Sequence, residues 1–162
     1  MLAADPGASV ANIAAEAGVD RRTVYRRFAS REELLAAIYE ARLTAIEQAI
    51  ADARLREAPV AVALHRYVEN IIVVNRTWPV DLGRMLADES VHARRDASIR
   101  EVDAFLDRAT EEGLLRPGLP QGWASALLPQ VMRLVTEQLT DLSAGQAADV
   151  VVDTLLHGIG AA

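Results

Sequence analysis

Apolar residues recur every three or four positions along most of the chain, in segments separated by glycine, proline or short polar stretches. This spacing is typical of α-helices that bury one face. Two apolar runs, at residues 71–74 and 150–152, have a composition compatible with short β-strands. Each run lies inside a longer segment without helix breakers, so we interpret both as helical and predict an all-α protein.

Residues that favour helix ends divide the chain into eight predicted helices. Ser9, Asp20 and Ser30 can cap helix N-termini with their side-chain oxygens, and Glu33 completes a capping box with Ser30. Gly18 suits the left-handed position that follows a helix. The predicted helices span about residues 9–17, 21–28, 30–55, 59–75, 79–89, 94–112, 123–142 and 144–159.

The first two predicted helices are short and are joined by a tight turn at residues 18–20, which is the helix-turn-helix arrangement. The third is longer than such a module needs, so we expect it to connect two domains, residues 1–40 and residues 41–162. Pro129 lies inside the seventh predicted helix and removes one backbone hydrogen bond, so we expect a kink or a later helix start there.

Composition restricts the class of protein. Apolar residues make up 51% of the chain and aromatic residues 4%, which predicts a core of aliphatic side chains. The chain has no cysteine and its three histidines lie far apart in sequence, so we expect no metal or other cofactor. No apolar run reaches the roughly 18 residues of a membrane span and no signal peptide is visible, so we expect a cytoplasmic protein.

Charge is distributed unevenly along this acidic chain. The net charge is −6, but residues 19–31 carry five arginines and one acid, Asp20. A local basic segment in an acidic chain is what a protein with one docking surface for an anionic partner would show. The alternative is a solvated basic helix face without a partner, and charge alone does not choose between them.

No set of residues in the sequence indicates an enzyme. The chain has no paired carboxylates at metal-binding spacing, no Ser-His-Asp set, no phosphate-binding loop and no cysteine nucleophile. We therefore expect a binding protein and not an enzyme.

The basic segment belongs to a longer pattern. Residues 9–35 read SVANIAAEAGVDRRTVYRRFASREELL. This segment closely resembles the DNA-binding region of TetR-family transcriptional regulators. The matching features are Ser9, the Ile-Ala pair at 13–14, Ala-Gly-Val at 17–19, Tyr25, Phe28, the capping step at 30–32 and Leu34. The resemblance implies a DNA-binding regulator whose C-terminal helical domain binds a ligand and dimerises.

Arginine suits DNA recognition because its guanidinium group can bind guanine edges or phosphates through two hydrogen bonds. Residues 21–23 open the second helix, and this end usually points toward the bases in a helix-turn-helix protein. The resemblance implies that Tyr25 contacts a phosphate, while we interpret Val24 and Phe28 as inward-facing packing residues. The predicted DNA-binding residues are Ser9, Arg21, Arg22, Thr23, Tyr25, Arg26, Arg27, Ser30 and Arg31.

The resemblance also implies a further helix before Ser9, of which residues 1–8 offer only the last turn and a connecting turn. We expect this helix to belong to the natural protein, with the sequence shortened by a misassigned start or a truncation. Short helices without it have little to pack against, so DNA binding should then be weak. The alternative function is a helical ligand-binding or interaction module that has lost DNA binding.

The last two predicted helices are apolar on more than one side, so we expect one side to face a second subunit. A purely internal core is the alternative. The predicted interface residues are Leu128, Val131, Val135, Leu139, Val150, Val151, Thr154 and Leu155.

A small-molecule pocket is implied by the resemblance alone. The predicted lining residues are His65, Asn75, Trp78, Met85, Phe105 and Met132. The resulting functional prediction is a homodimeric repressor of a palindromic DNA operator. Its ligand would favour a state in which the two recognition helices no longer match the half-site spacing.

Overall fold

The computed structural model describes residues 9–79 and 89–159, and every helix or strand element in these ranges is an α-helix. The helices are α1 (Val10–Glu16), α2 (Arg21–Arg27), α3 (Arg31–Ala53), α4 (Val60–Thr77), α5 (Glu89–Glu111), α6 (Trp123–Gln138) and α7 (Ala144–Ile159). The predicted all-α class is confirmed, including helix at both valine-rich runs. The helix predicted at residues 79–89 falls largely on residues outside the described ranges.

Side-chain caps begin α1 and α2 where the sequence predicts them. The Ser9 hydroxyl accepts a hydrogen bond from the Asn12 amide at 3.2 Å. The Asp20 carboxylate accepts one from the Arg22 amide at 2.7 Å. Each bond satisfies a backbone donor that has no partner inside its own helix, so both helices have defined starts.

The turn between α1 and α2 is built around Gly18, whose φ is +65°. The Gly18 amide donates to the Ala15 carbonyl at 3.1 Å, and the Val19 amide donates to the Ala14 carbonyl at 2.9 Å. This pair of bonds is a Schellman motif, which ends a helix and redirects the chain. The predicted tight turn is therefore confirmed.

The long helix α3 begins at Ser30, whose hydroxyl accepts from the Glu33 amide at 3.1 Å. The Glu33 carboxylate accepts from the Ala29 amide at 2.6 Å, one residue before the position used in a standard capping box. α3 continues without interruption to Ala53 and ends at Arg54, which has a φ of 54°. Residue 40 lies inside this helix, and the domain boundary placed there stays a prediction.

The main core surrounds α4, which packs against α3, α5, α6 and α7. Its largest fully buried side chains are aliphatic, as predicted: they include Leu64, Val68, Ile72, Leu115, Leu128, Val151 and Leu155. Val10, Ala14 and Leu34 are also buried but lie outside this core cluster. Within the described ranges, no helix combines the length and the apolar character needed to cross a membrane.

Two predicted helix bounds are wrong. Residues 89–93 already belong to α5, so the predicted start near Arg94 is wrong, because this stretch contains no glycine or proline that would break the helix. α6 ends at Gln138, and α7 has its own capping box in which Ser143 and Gln146 exchange two hydrogen bonds. The later start considered for Pro129 is not observed: Pro129 lies inside α6, which begins at Trp123, and its side chain is on the exposed face of the helix.

Candidate nucleic-acid interface

The α2 helix presents its arginines to solvent. Its residues 21–23 and 25–27 are exposed, whereas Val24 and the following Phe28 are half-buried. Val24 and Phe28 therefore face inward relative to the rest of the segment, in agreement with the sequence interpretation. α2 has no fully buried residue, so the packing that holds it is lighter than expected.

Arg21 and Tyr25 form a contact along the surface of α2. The Arg21 guanidinium lies over the Tyr25 ring, 5.2 Å from its centroid. These residues are four apart and so occupy the same helix face. The Tyr25 side chain is 44% exposed. One positive charge is therefore held beside an accessible aromatic ring.

The other arginines of α2 have no partner within the part of the chain that the structure describes. Arg22, Arg26 and Arg27 form no ion pair or hydrogen bond there through their side chains. By contrast, Arg94 in the C-terminal region bonds to two carboxylates. Among the described residues, nothing therefore occupies these three guanidinium groups.

The N-termini of α1 and α3 complete the set of predicted DNA contacts. Ser9 is exposed and Ser30 and Arg31 are half-buried, and both serines use their hydroxyls as caps. The roles of all nine predicted DNA-binding residues stay predictions.

The candidate ligand residues occupy three different environments. Phe105 and Met132 are buried in the main core, each about 3% exposed. Asn75 and Trp78 end α4, where Arg42 of α3 donates to the Asn75 side-chain oxygen at 2.8 Å and to the Trp78 carbonyl at 3.1 Å. Met85 lies outside the described residues.

His65 lies apart from these residues, at the surface between α4 and α7. Its Nε2 is 2.9 Å from a carboxylate oxygen of Asp149, and its Nδ1 is 3.9 Å from Glu69. His65 and Asn75 are ten residues apart on α4, which separates them by about 15 Å along the helix axis. The structure therefore does not place His65 with the other candidates.

Two open grooves occur on the surface of the described region. One, of about 510 Å³, is lined by residues of α7 between Asp149 and Leu156. The other, of about 360 Å³, lies beside the end of α3 and includes Arg54 and Glu101. None of the candidate ligand residues lines either groove, so the predicted pocket stays a prediction.

The predicted dimer residues require a correction. Five of the eight are buried within their own subunit, because one face of α6 and one face of α7 pack into the main core: Leu128, Val131, Val135, Val151 and Leu155. Leu139, Val150 and Thr154 are exposed. Exposed apolar residues that the predicted set omitted are Trp123, 47% exposed, and Leu134, 57% exposed.

Sequence reasoning also missed two arginines that connect α3 to the other helices. Arg42 bonds to the end of α4, and Arg94 of α5 bonds to three residues of α3. No local sequence signal identifies these contacts, since they join residues 33 to 54 positions apart.

A comparison with known families matches residues 6–38 to the family described as "Bacterial regulatory proteins, tetR family". This range contains α1, α2, the turn between them and the start of α3. It is also the segment on which the sequence resemblance rests.

A curated relative matches nearly the whole chain. The HTH-type transcriptional repressor LfrR of Mycolicibacterium smegmatis is 32% identical over 170 residues, covering 98% of this chain and 84% of LfrR.

Solved structures agree with this similarity. A crystal structure of LfrR from Mycobacterium smegmatis matches with a TM-score of 0.72 at 29% identity, covering 98% of this chain and 89% of that chain. A second LfrR structure, in complex with proflavine, gives a TM-score of 0.67 at 29% identity, covering 98% of this chain and 90% of that one. The TetR family regulator PfmR from Thermus thermophilus shares the fold, with a TM-score of 0.70 at 21% identity, covering 94% of this chain and 89% of that one.

Proposed function

This chain belongs to the TetR family of bacterial transcriptional regulators, and from that premise we propose that it is a homodimeric repressor released from a palindromic operator by a small molecule. Family membership makes the protein a DNA-binding transcriptional regulator. The observation that carries the finer proposal is the outward face of α2, where Arg22, Arg26 and Arg27 are exposed and bond to no described residue. Such groups can reach base edges and phosphates from the major groove.

Two kinds of contact follow from the position of each residue. Arg21, Arg22 and Thr23 open α2 and are assigned to the bases, while Tyr25, Arg26 and Arg27 are assigned to phosphates. Ser9 at the start of α1, with Ser30 and Arg31 at the start of α3, adds flanking phosphate contacts through helix N-termini.

Dimerisation uses the outward faces of α6 and α7. These faces carry exposed apolar side chains that have no place in the subunit core, including Trp123, Leu134, Leu139 and Val150. A symmetric pair of subunits presents two α2 helices to half-sites roughly 34–36 Å apart. The dimer acts in the cytoplasm, where the bacterial chromosome is accessible.

The effector binds within the helical body, near Asn75, Trp78, Phe105 and Met132. Support comes from Trp78 packing against the main core, and from the complex of the relative LfrR with proflavine. Proflavine is therefore the first probe to use. Binding shifts the population toward a state whose α2 helices no longer match the operator.

The deciding experiment is selection of bound sequences from a pool of random double-stranded DNA. It is run with the 162-residue chain and with a version extended at its N-terminus to include the expected additional helix. The proposal expects enrichment of one palindrome. If neither protein enriches a palindrome, the repressor proposal is wrong and the ligand-binding module becomes the better account.

A salt titration on the selected operator tests the role of α2. Arg26→Ala should reduce the slope of log affinity against log salt by about 0.9 per lost phosphate contact, or about 1.8 for the dimer. Arg66→Ala is the matched control, because Arg66 is an exposed α4 arginine without a described bond. Equal slopes for the two variants would remove Arg26 from the interface.

A further inference from the structure

We propose that Arg94 is a positioning residue that holds α3, and with it α2, in the orientation that matches the spacing of the operator half-sites. The proposal rests on the proposed function, since it names the residue that sets the geometry of DNA binding. It adds a specific contact outside the helix-turn-helix segment and outside the candidate ligand residues.

Arg94 joins the start of α5 to the middle of α3 through four hydrogen bonds. Its Nε and Nη2 donate to the two carboxylate oxygens of Glu47, at 2.9 and 2.6 Å. Its Nη2 also donates to the Thr44 hydroxyl at 3.1 Å, and its Nη1 bonds to Glu40. Glu40, Thr44 and Glu47 are spaced four and three residues apart, so they form one stripe along α3.

The geometry of this contact restrains rotation as well as distance. A guanidinium group is planar and presents its donors in a fixed fork, so a two-bond contact with Glu47 defines an angle between the two helices. The bond to Glu40 adds a second attachment two turns away along α3. Arg94 and Glu47 are each 35% exposed at the side chain, so water surrounds only part of the contact.

Charge favours the same arrangement. Glu40 and Glu47 place two negative charges on one stripe of α3, and Arg94 lies against both. The hydrogen bond from Arg94 lowers the pKa of Glu47, and the bonds to Glu47 and Glu40 raise the pKa of Arg94. Both groups are therefore held in their charged forms at neutral pH.

Because α3 is long, a small rotation of the helix at this contact produces a larger displacement at its N-terminal end. The helix is continuous from Arg31 through Glu47, and α2 is attached to its N-terminal end by a short link at residues 28–30. Glu40 lies nine residues from Arg31, which is about 14 Å along the helix axis. A small change of angle at residues 40–47 therefore displaces α2 by several times more than it moves the contact itself.

Arg42 lies in the same stretch of α3 and attaches it to α4, whereas Arg94 attaches it to α5. It donates to the side chain of Asn75 and to the carbonyl of Trp78, both at the end of α4. α3 is thus attached by arginine side chains to α4 and to α5 within one stretch, residues 40–47. These two contacts hold residues 40–47 in place, and α2 lies beyond the N-terminal end of the same helix.

The first test measures the orientation of α3 without DNA. The chain has no cysteine, so single cysteines can be introduced at the exposed residues Ala36 of α3 and Ala104 of α5 and spin-labelled. Electron–electron dipolar spectroscopy, on labelled protein diluted with unlabelled protein, then reports the distance within one subunit. The parent should give a narrow distribution of distances between the two spin labels, and Arg94→Gln should give a broader or shifted distribution.

Matched variants keep this measurement interpretable. Arg56→Gln is the control, because Arg56 also pairs with α5, through Glu101 at 3.3 Å, but lies beyond the end of α3. Glu47→Gln breaks the two-bond contact from the other side and should act like Arg94→Gln, with Arg94→Lys between it and the parent. The proposal is overturned if Arg94→Gln and Glu47→Gln both fold and keep the parent distribution.

The second test measures tolerance of operator spacing. On operators with one base pair inserted or removed between the half-sites, the parent should lose about tenfold in affinity, comparable to the loss of one good base contact. Arg94→Gln should bind the original operator more weakly yet lose less than about threefold on the altered ones. If Arg94 only stabilises the fold, Arg94→Gln should bind every operator more weakly than the parent by the same factor. That result would contradict the proposal.

The two tests separate the inference from the function on which it rests. If the parent binds no operator, the repressor proposal fails, but the spin-label distances still decide whether Arg94 orients α3. If operators bind and the spacing preference of Arg94→Gln equals that of the parent, the function stands and the inference fails.

Discussion

The guanidinium of Arg21 lies 5.2 Å from the centroid of the Tyr25 ring, one turn further along α2. A cation at this distance is attracted by the electrons of the ring face, and the contact restricts where the Arg21 side chain can point. The ring and the hydroxyl of Tyr25 therefore have separable roles. The ring positions Arg21, while the hydroxyl is free to meet a phosphate in the proposed complex.

Tyr25→Phe separates these roles, because it keeps the ring and removes only the hydroxyl. We expect operator affinity to fall by about tenfold for each subunit, or about a hundredfold for the dimer, because each subunit loses one hydrogen bond to a charged group. The melting temperature should not change, since Tyr25 is 44% exposed and the substitution keeps its ring. Fluorescence anisotropy with a labelled operator measures the affinity. Parent-like affinity in Tyr25→Phe would show that the hydroxyl makes no phosphate contact.

Gly18→Ala tests the turn that sets α2 against α1. Gly18 has a φ of +65°, and a Cβ added there meets no atom within 4 Å, so the cost is purely conformational. An L-residue in this region costs about 1 kcal/mol relative to glycine. We expect faster amide hydrogen exchange in α1 and α2, and weaker operator binding.

Gly158→Ala is the matched control for this substitution. Gly158 lies within α7 without a positive φ, and a Cβ added there also meets no atom within 4 Å. Alanine in a helix is more favourable than glycine, so this variant should leave exchange in α1 and α2 unchanged. If both variants behave alike, the conformation of Gly18 does not hold the module together.

The N-terminal helix starts could be predicted because their chemistry is local. Ser9, Asp20 and Ser30 each bond to a backbone amide two or three residues away, so the sequence contains the whole interaction. The same kind of signal was present at Ser143 and Gln146, but the apolar stripe that continues past Gln138 concealed the end of α6.

The placement of surfaces could not be predicted in the same way. Leu128 and Leu134 both belong to apolar stripes of α6, yet one is 1% and the other 57% exposed. Which stripe is covered depends on where α4 and α7 pack, and that is a tertiary property. The contact between Arg94 and Glu47 spans 47 positions, so no short-range pattern indicates it.

The corrected dimer surface predicts opposite results for two leucines of α6. Leu134→Glu places a charge on the exposed face, so it should favour monomers while leaving the subunit folded. Leu128→Ala removes buried volume from the core, so it should lower the free energy of unfolding by about 3 kcal/mol. Sedimentation velocity reports the oligomer, and chemical denaturation reports stability.

Ile99→Glu is the control for the dimer prediction. Ile99 is 44% exposed and belongs to α5, not to α6 or α7, so a charge there should leave the oligomeric state unchanged. If Leu134→Glu remains as dimeric as Ile99→Glu, the outward face of α6 does not form the interface.

Acid should weaken the contact between α5 and α3. The hydrogen bond from Arg94 lowers the pKa of Glu47 from its ordinary value of 4.5 in the folded protein. A carboxyl with a lowered folded-state pKa stabilises the fold above its unfolded-state pKa, and this stabilisation is lost as pH falls through the folded-state value.

Glu47→Gln should therefore melt below the parent at pH 7, and the difference in melting temperature should shrink once the pH falls below 4.5. Thermal unfolding followed by circular dichroism from about pH 7 to about pH 3 measures both proteins across the range in which the carboxyl titrates. A difference that stays constant across this range would show that the charged form of Glu47 does not stabilise the fold.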